Sequence, residues 1–229
     1  MKGTKSDMIA FFVASGAVLL ACLTGISRAN DATNVPQEII IKAKDIRGAP
    51  LRNAGRDFLT KLASGDVKGA KSMFAGPKDQ EEFLDVCLAG VEASQHFRRS
   101  FKARFPMRDE AEAVGIDVDI RGLIRSIDVE TFMRRGETAS MSPGSTPFVI
   151  GLDFKLVNER WLVSSLTVFP KETAARVKFT KTVSLALAHM AKKVDDGDFK
   201  KPEDVLAAIK ADLSPAYEQE QAEIQRAGK

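Results

Sequence analysis

The stretch PFVIGLDFKLVNERWLVSSLTVF, residues 147–169, indicates the fold class most directly because its apolar residues alternate with small or polar ones. A period of two predicts a β-strand with one buried face. Asn158 and Glu159 interrupt the alternation, so the stretch predicts two strands joined by a tight turn. One face of the first strand is expected to carry Phe148, Ile150, Leu152, Phe154 and Leu156, and the other Gly151, Asp153 and Lys155.

Two more strands are predicted just upstream of this stretch. SIDVETFMRRGETASMS, residues 126–142, also has a period of two, which Arg135-Gly136 interrupts. Glycine readily adopts the backbone angles that a tight turn requires. The two hairpins together predict an antiparallel meander with one face on a core.

Helical patterns precede the strands. Between Pro50 and Leu62 the apolar residues recur every three or four positions, which predicts one buried helical face. Gly65 is expected to end this helix, and Asp66 to cap the N-terminus of a second, antiparallel helix.

A long helix follows, from Asp79 to about Phe105, and Pro106 stops it. Asp79 and Glu82 have the spacing of a capping box at its start. A short helix is expected near residues 120–125. The buried stripe of the long helix is predicted to contain Phe83, Cys87, Gly90, Ser94, Phe97, Phe101 and Phe105.

The helical period returns beyond Pro170. Gly197 is expected to end the first of these helices. A second helix is expected from Pro202 to Leu213, and the polar tail from Pro215 is expected to fray. The first helix buries a stripe of Val183, Leu187, Met190 and Val194.

Helices on both sides of a meander define an α+β fold, with N-terminal helices packed on the sheet. We therefore expect four parts: a signal peptide at 1–29, a leader at 30–48, an α+β domain at 49–170 and a C-terminal helical extension at 171–229.

Two parts of the chain resemble the nuclear transport factor 2-like (cystatin-like cone) superfamily. FLTKLASGDVKGAKSMFA, residues 58–75, resembles its opening helix pair, and RRGETASMS with FVIGLDFKLVNERWLV, at 134–142 and 148–163, its closing strands. The resemblance implies a cone-like domain, with a curved sheet around helices and a cavity. Some relatives use that cavity for catalysis, and others use the fold for binding or dimerisation.

Residues 1–29 have the pattern of a secretory signal, with two lysines before an apolar run from Met8 to Leu23. Small residues at the exit favour cleavage after Ala29. Two alternatives stay open, a lipoprotein anchored at Cys22 and a retained membrane anchor. In each case the domain works outside the cytoplasm, in the periplasm or secreted.

Charge and cysteine content exclude several classes of partner and fold. Removing residues 1–29, with three basic residues and one acidic residue, lowers the formal net charge from +3 to +1. No broad basic field remains for nucleic acid, and membrane association is expected only through the N-terminal segment. Cys87 is then the only free thiol, so no disulfide framework is expected, and Cys87 is predicted to be buried.

Catalytic and metal-binding motifs are absent from the sequence. It contains no G-x-S-x-G, H-E-x-x-H, C-x-x-C, phosphate loop or dinucleotide glycine pattern. His96 and His189 lie on predicted helices and are interpreted as structural or surface residues. No metal or cofactor is expected. The closely spaced carboxylates Asp117, Asp119, Asp128 and Glu130 carry no specific signal.

Asp153 is the one candidate catalytic residue. Enzymes of the superfamily that the chain resembles place an Asp or His, often with a Tyr, in the cavity to move a proton beside a carbonyl. The only tyrosine is Tyr217, in the predicted tail. The competing interpretation of Asp153 is an exposed ion pair with Lys155 on the solvent side of the sheet.

HFRRSFKARFPMR, residues 96–108, is the candidate binding surface because it holds five basic residues and no acidic one. The candidates for contact with an acidic partner or an anionic surface are Arg98, Arg99, Lys102 and Arg104. The phenylalanines between them recur at four-residue spacing, which predicts a core stripe.

Two functional hypotheses follow. The first is a non-catalytic, extracytoplasmic binding or interaction protein for an unknown small ligand or protein partner, which a homodimer would also fit. The second is an isomerase, dehydratase or hydrolase of small molecules that uses a cone pocket with Asp153 as base. The missing tyrosine favours the first.

Overall fold

A computed structural model of the chain describes residues 37–142, 151–166 and 173–227. The described residues form an α+β fold, as predicted, with five strands and six α-helices. The strands are β1 (Glu38–Ile41), β2 (Thr131–Arg135), β3 (Thr138–Ser142), β4 (Asp153–Val157) and β5 (Arg160–Ser165). The helices are α1 (Ala49–Ser64), α2 (Val67–Ser72), α3 (Lys78–Arg104), α4 (Ile116–Ser126), α5 (Thr173–Asp195) and α6 (Pro202–Ala227).

The five strands form one antiparallel sheet in the order of the chain, so both predicted hairpins are present. The β2–β3 turn has Gly136 at φ 57°, and the β4–β5 turn has Asn158 and Glu159 at φ 47° and 62°. Two consecutive positive φ angles match the right-handed twist of the flanking strands. The first strand of the sheet was not predicted: Glu38–Ile41 pairs with β2, and it lies inside the leader expected at 30–48.

The first core lies between one face of the sheet and three helices, α1, α4 and the N-terminal half of α3. Phe58 from α1, Phe132 from β2 and Phe154 from β4 are all fully buried in it. The rings of Phe132 and Phe154 lie 5.9 Å apart across β3, where small Ala139 leaves room for them. The predicted face of β4 is thus correct at Leu152 and Phe154, and Phe148 and Ile150 lie outside the described residues.

The second core joins the C-terminal half of α3 to α5 and α6. Phe97 and Phe101 are buried in the same cluster as Leu187 and Met190 of α5, so the predicted core stripe of α3 is confirmed. The two long helices run parallel, because Lys181 binds Glu82 near their N-termini and His96 lies beside Asp195 near their C-termini. The C-terminal helices are therefore packed against α3, and they share a core with it.

The predicted helix boundary at Gly65 and Asp66 is confirmed. Gly65 has the left-handed φ of 73° that favours glycine, and the Asp66 carboxylate accepts a hydrogen bond from the Gly69 N–H at 2.8 Å. The capping box predicted at Asp79 is wrong. Pro77 is the N-cap, so Asp79 lies in the first helical turn, where a carboxylate still interacts favourably with the helix dipole.

The polar tail predicted from Pro215 is also wrong. α6 runs from Pro202 to Ala227 with Pro215 inside it. Proline removes one backbone hydrogen bond from a helix. Leu213, two residues before Pro215, is buried in the second core, and the second half of the helix lies beside α5, where Lys178 binds Glu223 at 3.1 Å.

Candidate functional site

Asp153 lies on the face of the sheet opposite the first core. In the register of the strands it stands beside Ser140, which stands beside Met133 and then Ile40 at the sheet edge. Lys155 is on the same face and is exposed, whereas Asp153 is half-buried. No ion pair joins Asp153 to Lys155 within the described residues, so the predicted pair is not formed.

Burial raises the pKa of Asp153 above its ordinary value of 3.8, and the Ser140 hydroxyl, which donates a hydrogen bond to the carboxylate, opposes that rise. A raised carboxyl pKa is one property of a general base. A proton-transfer site also needs a second group that polarises the substrate. Among the described residues, the two register neighbours of Asp153 are serines that already have partners: Ser140 on β3 contacts the carboxylate itself, and Ser165 on β5 donates to Gln80 Oε1 at 3.3 Å.

The space between the sheet and α1 is filled at Gly55. Gly55 of α1 faces the sheet, and a methyl group on it would lie 2.6 Å from Ile127 Cδ1 and 3.2 Å from Phe154 Cζ. A carbon–carbon contact of 2.6 Å is far below van der Waals separation. The inner face of the sheet at this point therefore has no room for even one additional carbon atom.

A surface cleft of about 160 Å³ is bounded by α2 and the N-terminal part of α3. Its lining residues are Lys71, Phe74, Glu81, Leu84 and Asp85. Lys71 and Asp85 form an ion pair across it at 2.7 Å. Asp153 is not among the lining residues, so this cleft and the candidate base are separate.

The basic stretch at 96–108 divides into one buried and three exposed side chains. Arg98, a predicted binding residue, is only 9% exposed and is held in an ion pair with Asp117. It is therefore not part of a docking surface. Arg99, Lys102 and Arg104 are exposed, and Lys102 binds Asp109 at 2.5 Å.

Arg98 and Asp117 form a buried charged cluster that the sequence analysis missed. The Arg98 guanidinium donates to both carboxylate oxygens, at 2.8 and 2.5 Å, and to the Val114 carbonyl at 3.0 Å. Arg121, one helical turn after Asp117, binds the same carboxylate at 2.8 Å. Asp117 is fully buried, so the cluster joins α3 to the start of α4 through strong, charge-assisted hydrogen bonds.

A glycine allows this close approach of the two helices. Gly115 has φ 134°, and a Cβ there would lie 2.6 Å from Ser94 Cβ and 2.9 Å from Arg98 Nη1. Ser94 also accepts a hydrogen bond from the Ile116 N–H at 3.0 Å. The cluster is thus an internal clamp rather than a site open to a ligand.

Both histidines are exposed, as the surface interpretation predicted. His96 Nε2 lies 3.5 Å from the Asp195 carboxylate, and His189 lies on the outer side of α5. Within 37–142, 151–166 and 173–227, no three His, Cys, Asp or Glu side chains are grouped so that they could hold a metal ion.

The edge of the sheet at β1 exposes both apolar side chains and backbone groups. Ile40 is 56% exposed and its cross-strand neighbour Met133 is 41% exposed. Of the eight large apolar residues exposed in the described parts of the chain, five lie in β1 or β2 or within five residues of them. They are Ile39, Ile40, Ile46, Val129 and Met133.

Hydrogen bonds in the sheet fix which β1 backbone groups point outward. The Met141 N–H donates to the Leu152 carbonyl at 2.8 Å, so the groups of Met141 face β4. Alternate residues of an antiparallel strand bond to opposite sides. Carried through the register of β3, β2 and β1, this places the backbone groups of Ile39 and Ile41 toward β2, and those of Glu38 and Ile40 outward.

The other edge of the sheet is covered. The Val163 N–H donates to the Met73 carbonyl at 3.0 Å, and the Ala75 N–H donates to the Val163 carbonyl at 2.8 Å. Residues 73–75 therefore act as a short parallel strand on β5. Among the described residues no segment pairs with the outer side of β1, so of the two edges β1 is the one left open to another strand.

No family model, curated protein or solved structure matches this chain significantly. No helix in the described residues is long and apolar enough to cross a membrane.

Proposed function

We propose that this chain is a non-catalytic binding or interaction protein that works outside the cytoplasm, and that it contacts a protein partner through the open edge of β1. The observation that carries the proposal is that the backbone groups of Glu38 and Ile40 point outward from the sheet, beside the exposed apolar side chains of Ile40 and Met133. Unpaired strand edges with exposed apolar residues are templates for pairing with another chain.

The filled space around Gly55 supports a surface role. A small-molecule site is typically a concave pocket that buries most of its ligand. At Gly55 the sheet and helices meet without room for an added methyl group. Binding at a sheet edge needs no such pocket, since backbone hydrogen bonds supply affinity and flanking side chains supply specificity.

The proposed location rests on residues 1–29, which lie outside the described part of the chain. Intact-mass analysis of protein purified from cells that express the full chain tests it. A mature protein that begins at Asn30 supports export and cleavage. Protein that keeps its N-terminal residues and stays in the cytoplasm would contradict it. The resemblance to the nuclear transport factor 2-like superfamily stays a prediction.

Site-specific photo-crosslinking in cells tests the contact. A photoreactive amino acid replaces Ile40 at the edge in one variant, and Val67, a similarly exposed residue on α2, in the control. We expect crosslinked protein adducts from the Ile40 position and none above background from the Val67 position. Equal yields at both positions, or no adduct at either, would contradict an edge-docking function.

The second hypothesis has one observation in its favour, the raised pKa of Asp153. As a base, Asp153 would remove a proton beside a carbonyl, and Ser140 would orient its carboxylate. This enzyme hypothesis predicts turnover that Asp153→Asn abolishes and that Lys155→Gln, on the same face, leaves unchanged.

A further inference from the structure

We infer that β1 pairs with β1 of a second copy of this chain, antiparallel and with Ile40 at the two-fold axis. This inference rests on the proposed function, because it names the partner that the open edge accepts. The result is a homodimer whose two five-stranded sheets join into one continuous sheet.

The backbone groups at the edge suit this pairing. Ile40 directs its N–H and carbonyl outward, so two copies of Ile40 facing each other exchange two hydrogen bonds. The same register places Glu38 opposite Lys42 of the second copy. The Lys42 carbonyl already accepts hydrogen bonds from Arg52 and from the Asp45 N–H, at 2.7 and 3.1 Å, so the backbone exchange is centred on Ile40 and Lys42 takes part through its N–H and its side chain.

The side chains of the outer face also match across the two-fold axis. Ile40 and Met133 are neighbours on adjacent strands, and both are substantially exposed in one copy. Joining two copies brings the two Ile40 side chains together, with a Met133 on each outer side. The row Met133, Ile40, Ile40, Met133 would then be a continuous apolar strip across the interface.

Charge complementarity selects a second copy as the partner. Glu38 is exposed and binds Arg135 on β2, whereas Lys42 is exposed and has no acidic partner among the described residues. In the proposed register each Glu38 meets Lys42 of the other copy at each end of the paired strands. Opposite charges directly across a strand pair are stabilising, and like charges are destabilising.

The covered β5 edge limits the assembly to two copies. Residues 73–75 occupy the backbone groups of Val163, so the joined sheet ends at β5 on both sides. A symmetric contact of β1 with β1 is closed and does not propagate into a fibre. A sheet with one open edge is therefore suited to form a dimer and not a longer assembly.

Sedimentation velocity over a range of concentrations tests the pairing. It uses the processed protein purified from cells that express the full chain. We expect a reversible monomer–dimer equilibrium. Ile40→Lys, which places two positive groups at the axis, should weaken dimerisation at least about tenfold. Val67→Lys adds the same charge at a comparably exposed position on α2 and should leave the equilibrium unchanged.

Mixing two charge variants tests the register. Glu38→Lys gives an edge with two positive groups, and Lys42→Glu gives an edge with two negative groups. Each alone should be monomeric where the unaltered protein dimerises, and an equimolar mixture should recover dimers. Recovery on mixing requires the two positions to face each other across the interface. If Glu38 and Lys42 only stabilised the fold of one copy, mixing the two variants would not restore dimers.

Three results would overturn the inference: a monomer at every concentration, a dimer that Ile40→Lys does not weaken, and charge variants that do not complement. If the protein does not dimerise, hydrogen exchange at the Ile40 amide shows whether the β1 edge is covered within one copy. Protection that is independent of concentration would mean that another part of the same chain covers the edge. A crosslink from Ile40 to a different protein, without self-association, would overturn this inference and retain the proposed function.

Discussion

Arg98 of α3 donates two hydrogen bonds to the Asp117 carboxylate of α4, at 2.8 and 2.5 Å, and that carboxylate is fully buried. A buried ion pair gains from its Coulomb attraction but has lost the hydration of both charges. Asp117 also binds Arg121 at 2.8 Å, so it neutralises part of two positive charges. The pair therefore ties the first turn of α4 to the C-terminal part of α3.

Asp117→Asn should lower the free energy of unfolding by about 3–5 kcal/mol, because it leaves Arg98 buried without a counter-charge. Urea unfolding measures the loss. Asp128→Asn is the matched control, since Asp128 forms an exposed ion pair with Arg56 and should cost about 0–1 kcal/mol. The double variant Arg98→Met with Asp117→Leu should recover most of the lost stability. A loss below about 1 kcal/mol for Asp117→Asn would contradict the clamp.

Gly55→Ala tests whether the space between sheet and helices is filled. In an open cavity the change would stabilise α1 by about 1 kcal/mol, since alanine favours a helix more than glycine does. The contacts with Ile127 and Phe154 should instead cost about 1–3 kcal/mol, which cancels this gain or outweighs it by up to about 2 kcal/mol. Thr60→Ala, at an exposed position of the same helix, is the control and should be neutral or stabilising. A gain in the melting temperature for Gly55→Ala would reveal a cavity.

Cys87 should be inert in the folded protein. Burial raises the pKa of its thiol to about 12, and the side chain is 1% exposed, so the reactive thiolate is scarce and inaccessible at neutral pH. A thiol reagent followed by peptide mapping should label Cys87 in urea and leave it unlabelled in buffer. Labelling of Cys87 in buffer within minutes would contradict its burial.

Asp153 should make stability depend on pH. Its pKa is higher in the folded protein than in the unfolded chain, so the folded state binds the proton more tightly. The contribution of Asp153 to stability is therefore greatest below its unfolded pKa of about 4 and declines as pH rises through the folded pKa. Asp153→Asn should unfold at higher urea concentration than the unaltered protein at pH 7, with a smaller difference at pH 3.5. An exposed carboxylate on α1, changed by Asp57→Asn, serves as control.

Helices and hairpins were predictable because their signals are local. Phe97 and Phe101 lie one helical turn apart and face the same way wherever the helix packs. The Asn158-Glu159 turn is likewise decided by two residues and the alternation on each side of it. Neither signal depends on a distant part of the chain.

The missed features depend on distant partners. β1 is a run of three isoleucines after Glu38, with no alternation, and its strand partner Met133 lies about 90 residues away. α6 continues past Pro215 beside α5, where Lys178 and Glu223, 45 residues apart in the chain, form an ion pair. Arg98 follows Ser94 by four residues, so its place on the buried stripe was visible, but its partner Asp117 was not.

Turnover by the processed protein shows whether this chain acts by contact alone or performs chemistry. Ester, epoxide and ketosteroid-type substrates are incubated with the unaltered protein, with Asp153→Asn and with Lys155→Gln, and product is quantified against buffer. We expect all three proteins to give the same background rate. A rate above background that Asp153→Asn abolishes and Lys155→Gln retains would contradict action by contact alone and establish Asp153 as a catalytic base.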